Sequence, residues 1–120
     1  MKGMFNLNQK FKNIPSDDCF ISEITLAELW FGVANSKKTE QNSLTLETFL
    51  TGVNVLPIFD SITLYAKEKA RLRKAGTPVD DFDLLIGVTS VTYGLTMVTN
   101  NISHFRRINE IDLEDWTANA

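Results

Sequence analysis

Apolar residues recur along this chain at two different periods. Leu26, Leu29, Trp30 and Val33 fall three and four residues apart, which predicts a helix from Thr25 to about Ala34 with one face turned inward. The same spacing returns in Leu46, Phe49, Leu50 and Val53. It returns again in Ile62, Tyr65, Ala66 and Leu72, and in Leu84, Leu85, Val88, Val91 and Thr92. Gly76 and Gly94 supply the stops of the last two helices, and Asp60 or Ser61, then Asp80 or Asp81, supply their N-caps. Between the helices lie short runs that read as strands: Cys19 to Ser22, Val55 to Ile58, Leu95 to Thr99 and Glu110 to Leu113. Leu95 to Thr99 carries no charge, as expected of a strand covered on both faces. Pro57 cannot donate to a ladder and puts its strand at an edge. Ahead of these elements, Met4, Phe5, Leu7 and Phe11 predict a short helix within Met1 to Lys12, followed by a turn from Ile14 to Asp18. Strands alternating with helices imply an α/β fold, a parallel sheet with right-handed crossovers flanked by helices.

Composition changes this picture little. The 120 residues suit a single domain, 1–120, with one buried core, at 43% hydrophobic and 22% charged. A lone cysteine, Cys19, allows no internal disulfide, and its neighbours Phe20 and Ile21 favour a small core residue over a reactive thiol. With no apolar run of spanning length and no signal-peptide core, the expectation is a cytoplasmic protein without a membrane partner. The formal net charge of −3 gives no global attraction to nucleic acid, so RNA binding would need a local basic surface or bridging cations. One such surface exists: Lys67, Lys69, Arg71, Arg73 and Lys74 share a helix with Glu68 alone, and Arg106 and Arg107 follow later. A solvated charged face explains the same residues.

Candidate chemistry gathers at the ends of the Gly76 to Phe105 stretch. Asp80, Asp81 and Asp83 fall where a helix begins, and Asn100 to His104 follow a strand, where ligand groups collect in open parallel sheets. Glu28 and Asp83 both sit in first turns of helices, from which a sheet edge can bring them together. Carboxylates converging in this way repel one another unless a cation is present. Each acid also has a structural explanation. Thr25-x-x-Glu28 is a capping-box spacing, and Asp83 complements a helix dipole. His104 suits an exposed loop equally well.

Pro78, Asp81, Asp83, Leu84, Leu85 and Ile86, followed by Leu95, Val98, Thr99, Asn101 and Phe105, resemble the C-terminal signature of PIN-domain ribonucleases, in particular VapC toxins. Ser22, Glu23, Ile24, Thr25, Leu26, Ala27, Glu28, Leu29 and Gly32 are similar to a second signature of the same family. The resemblance extends from about Phe5 to Trp116. It implies a PIN-like parallel sheet, a Mg²⁺- or Mn²⁺-dependent endoribonuclease specific for an RNA sequence, a homodimer, and a cognate VapB-type antitoxin as partner. Glu28 and Asp83 then match the second and third metal-binding acids. Where relatives place a fourth acid this chain has Asn101 and His104, so an amide oxygen or an imidazole would serve there. With RNA as substrate, the basic face of Lys67, Lys69, Arg71, Arg73 and Lys74 would steer its phosphates, helped by Arg106 and Arg107; by the resemblance, Trp30 and Phe31 would lie in the dimer and antitoxin contacts. The family's opening strand, ending in the first metal-binding aspartate, has no counterpart before Phe5, so the first strand reads as missing and the domain as N-terminally truncated. That leaves a second expectation: a catalytically silent PIN-like module that only binds its antitoxin.

Overall fold

The computed structural model describes residues 19–115. The expected helix within Met1 to Lys12, the turn at Ile14 to Asp18 and Trp116 lie outside the described residues. In chain order the elements are β1 (Phe20–Ser22), α1 (Glu23–Ala34), α2 (Thr39–Leu50), β2 (Asn54–Leu56), a 3-10 turn (Phe59–Ser61), α3 (Ile62–Ala75), α4 (Asp81–Thr92), β3 (Thr96–Val98), α5 (Ile102–Phe105) and β4 (Asp112–Glu114). β1 runs parallel to β2 with Ile21 opposite Val55, and β3 runs parallel to β4 with Met97 opposite Leu113. Among the described residues these are two separate two-stranded ladders. Each parallel pair is joined by a helical crossover, as parallel pairing requires.

The helices form where the apolar spacing placed them, except that α2 ends at Leu50 and leaves Val53 beyond it, and their ends have specific causes. α1 begins earlier than the spacing suggested because Ser22 caps it: its Oγ accepts the Thr25 amide at 3.0 Å and donates to Thr25 Oγ1 at 3.2 Å. At the end of α3, the amide of Thr77 reaches Leu72 O at 3.0 Å and that of Gly76 reaches Arg73 O at 3.1 Å. At the end of α4, Leu95 reaches Ser90 O at 2.9 Å and Gly94 reaches Val91 O at 3.1 Å. Both are Schellman closures, which need a left-handed residue, and the glycines adopt it at φ 74° and 67°. The expected side-chain caps of α3 and α4 are not made: neither Ser61 nor Asp80 forms a capping bond.

The strands shift slightly from their expected bounds. β2 ends at Leu56 because Pro57, next in line, has no N–H for the ladder. β4 starts at Asp112 because Glu110 takes a positive φ of 64° and belongs to the turn before it. β3 is buried at Met97 and exposed at Thr96, so among the described residues it is not covered on both faces as expected.

Two apolar clusters accompany the two ladders. Ile21, Leu29, Val33 and Leu46 form one, with Trp30 packed at its margin. Leu72, Val79, Leu84, Val88, Met97, Phe105 and Ile108 form the other. α1 contacts α4, which brings the two halves together.

Candidate metal and nucleic-acid site

Asp83 stands at the third position of α4, one turn from its N-cap Asp80, where the helix dipole favours a carboxylate. His104 stands on α5, a single turn whose first carbonyl, that of Asn101, accepts the amides of His104 and Phe105 at 3.2 and 3.3 Å. The turn is held from upstream by Thr99 Oγ1, which accepts the Asn101 amide at 3.0 Å. Phe105 is buried in the larger cluster and meets the His104 ring edge-on, at 5.2 Å between centroids and 81° between planes. α4 and α5 therefore converge, and His104 Nε2 lies 3.3 Å from Asp83 Oδ2.

That separation is within ion-pair reach, yet Nε2 is sealed from solvent and makes no hydrogen bond to any described residue. The two statements agree once direction is considered, because the atoms are close but not aligned as donor and acceptor. The side chains remain partly accessible, Asp83 at 29% and His104 at 21%, so the pair is half-buried rather than enclosed.

Glu28 is in the second turn of α1, and its Oε1 is withdrawn from solvent. Ser22 holds the cap that the Thr25-x-x-Glu28 spacing suggested for Thr25, so the capping box does not form and Glu28 is not used there. Instead Glu28 lines a groove of about 330 Å³ between α1 and α2, together with Leu29, Gly32, Val33, Asn42, Thr45 and Leu46. Among the described residues no group of three or more His, Cys, Asp and Glu side chains surrounds one point. The structure thus joins Asp83 to His104 but does not complete a three-ligand cluster with Glu28. A small divalent cation commonly takes only one or two protein groups and fills its remaining positions with water and phosphate oxygens. The Asp83 and His104 pair fits that use, since two adjacent ligands of an octahedral ion are separated by about 3 Å.

Asn101 is exposed and contributes its backbone to the α5 turn, and its side chain makes no capping bond. The basic residues divide into two groups. Lys69 pairs with Asp81 at 2.8 Å, and Tyr65 donates to the same carboxylate oxygen at 2.8 Å. Hydrogen bonding to Lys69 lowers the Asp81 pKa, and hydrogen bonding to Asp81 raises that of Lys69. Arg71 is a fork on Glu68, at 2.9 and 2.8 Å, and also donates to Arg107 O at 2.7 Å. Arg107 in turn donates to Pro78 O at 3.1 Å. Lys67, Arg73, Lys74 and Arg106 are exposed.

Sequence reasoning missed Glu68, which is 5% exposed beneath the helix face it was counted on. Its signal was present: a single acid in a basic run, three residues before an arginine. Trp30 is partly buried against the smaller core, whereas Phe31 is 68% exposed.

A PIN-domain family model matches residues 6–111. Ribonuclease VapC2 of Rickettsia felis is 40% identical over 97 residues, covering 80% of this chain and 72% of the relative. The tRNA(fMet)-specific endonuclease VapC of Salmonella typhimurium is 34% identical over 112 residues, covering 92% of this chain and 84% of the relative. Among solved structures, DNA-bound VapBC from Salmonella typhimurium superposes with a TM-score of 0.84 at 34% identity, over 90% of this chain and 83% of that one. The chain belongs to the PIN-domain family, on its VapC side. No helix among the described residues is long and apolar enough to cross a membrane.

Proposed function

We propose that this protein is the toxin half of a toxin-antitoxin pair, an endoribonuclease that cleaves RNA by metal-dependent hydrolysis. The observation that carries this reading is the meeting of half-buried Asp83 and His104, in a chain similar along most of its length to named ribonucleases. Asp83, with His104 beside it, would hold a Mg²⁺ or Mn²⁺ ion. When bound, that ion would supply an activated water and offset the charge of the scissile phosphate. Glu28, on α1, would be the further acid of the site. Lys67, Arg73, Lys74 and Arg106 present exposed positive charge to the phosphates on either side, so the RNA is held by its backbone.

The groove between α1 and α2 suits the antitoxin. Its walls are largely apolar, Glu28 lies along it, and the solved relative from Salmonella typhimurium is a VapBC complex. An amphipathic helix can lay its apolar face there while a basic side chain approaches Glu28. A homodimer with its contact near exposed Phe31 completes the proposed assembly.

One observation favours the second reading, a silent module that only captures its antitoxin: no three-ligand cluster is assembled among the described residues. RNA cleavage by the purified chain, with and without Mn²⁺, separates the two. The expected result is metal-dependent cleavage that Asp83→Asn lowers by about a hundredfold or more, at or beyond the upper end of what losing a group that merely supports a metal ligand costs. Full cleavage by Asp83→Asn, or in excess chelator, would refute the metal-dependent enzyme. No cleavage under any condition, with antitoxin binding intact, would select the binding module.

A further inference from the structure

The contact between Asp83 and His104 bears on which cation the site selects. A carboxylate and an imidazole make a mixed oxygen and nitrogen donor pair. Mg²⁺ demands oxygen ligands and gives up its waters reluctantly, while imidazole suits transition-metal ions. His104 Nε2 faces Asp83 Oδ2 at 3.3 Å, is shielded from solvent, and makes no hydrogen bond to any described residue. A shielded nitrogen in that position has lost water as a partner without gaining a directional bond in exchange. Ligation of a cation shared with Asp83 would satisfy it. The ring is also held in place, since Phe105 packs edge-on against it and the α5 turn fixes its backbone.

We infer that His104 is a direct nitrogen ligand beside Asp83, and that this substitutes a preference for divalent transition-metal ions for the Mg²⁺ preference of an all-oxygen site. The inference rests on the metal-dependent reading above and adds the identity of one ligand and the class of ion. Lysine and arginine side chains near the site play no part in it, because they cannot ligate while protonated.

His104 is the chain's single histidine, which makes the test direct. Electron spin-echo spectra of the untagged protein loaded with Mn²⁺ should show coupling to an imidazole nitrogen, and that nitrogen can belong only to His104. Competitive titration of Mn²⁺ against Mg²⁺ at fixed pH gives the second measurement. His104→Glu, which restores an oxygen donor, should lower the Mn²⁺ to Mg²⁺ affinity ratio by about tenfold. Circular dichroism and melting temperature verify that the variant folds, and the spectrum of the unaltered chain requires no variant at all. Mn²⁺ bound without nitrogen coupling, yet lost in Asp83→Asn, would overturn the inference while leaving the metal reading standing. No Mn²⁺ binding, or binding unchanged in Asp83→Asn, would overturn both.

Discussion

Glu68 is a charge inside the fold, and its surroundings explain why it is tolerated there. Arg71 donates to both carboxylate oxygens, and the Asn109 amide donates to Oε2 at 2.9 Å. Arg71 and Arg107 then carry the link onward to the α5–β4 turn and to Pro78, so α3 is fastened to the segments on either side of the site. The hydrogen bond from Arg71 lowers the Glu68 pKa, and the Asn109 amide adds to this, while burial opposes both. A carboxyl with a folded-state pKa below its unfolded value stabilises the protein above the ordinary carboxylate range. That contribution is lost as pH falls through the depressed value. Glu68→Ala should therefore cost roughly 3 kcal/mol at neutral pH, toward the lower end for breaking a buried pair because Arg71 is partly solvated. The difference in melting temperature from the unaltered chain should shrink in acid, and a difference constant with pH would refute the assignment. At this scale the sequence marked Asp83 and His104 at the two ends of one stretch, and the fold brings them within 3.3 Å. The sequence misled at Glu28, where spacing alone suggested a capping box that Ser22 pre-empts. At Glu68 it was silent because helical periodicity places a side chain on a face but does not reveal which neighbours will cover it.

Among the elements, α4 carries most of the organisation, and Gly87 at its middle sets how closely its neighbours approach. A Cβ on Gly87 would collide with Ile108 Cδ1 and touch Ile111 Cδ1 at 3.4 Å and Phe105 Cδ1 at 3.6 Å. Phe105 and Ile108 flank the turn that bears His104, so the close approach at Gly87 also fixes the distance from α4 to the histidine. Gly87→Ala should destabilise the chain by about 1 to 3 kcal/mol through overpacking, even though alanine is the better helix former. Ile108→Val removes the methyl group that collides. Thermal melts of the double variant should recover part of the Gly87→Ala loss, and purely additive losses would show that the strain lies elsewhere. Helices were the more legible elements, because several turns of apolar spacing and a left-handed glycine at each of two ends give redundant signals. Strands of three residues give no such redundancy, and their limits were set by single events: Pro57 ending β2 and the positive φ of Glu110 delaying β4.

At the scale of the molecule, the described residues form two unequal halves, and Asp83 and His104 both belong to the larger. β1, α1, α2 and β2 enclose the cluster of Ile21, Leu29, Val33 and Leu46, while α3, α4, β3, α5 and β4 enclose the larger one. Among the described residues no strand pairs across the two ladders, while α1 and the 3-10 turn after β2 both pack on α4 and Tyr93 makes a long hydrogen bond to Pro57 O at 3.4 Å. Hydrophobic burial sets the cost of opening each half, and among the described residues the first half has the smaller buried cluster. Amides of α1 and α2 should therefore exchange hydrogen through openings at least about tenfold more frequent than those of α4, a difference of about 1.4 kcal/mol. Hydrogen exchange followed by peptide mass spectrometry measures both halves in one experiment. Glu28 belongs to the weaker half and Asp83 to the stronger, so any ligand engaging both acids should slow exchange in α1 more than in α4. Equal protection of the two halves in the free protein would mean that they open as one cooperative unit, with the α1–α4 contact, rather than the separate clusters, governing stability.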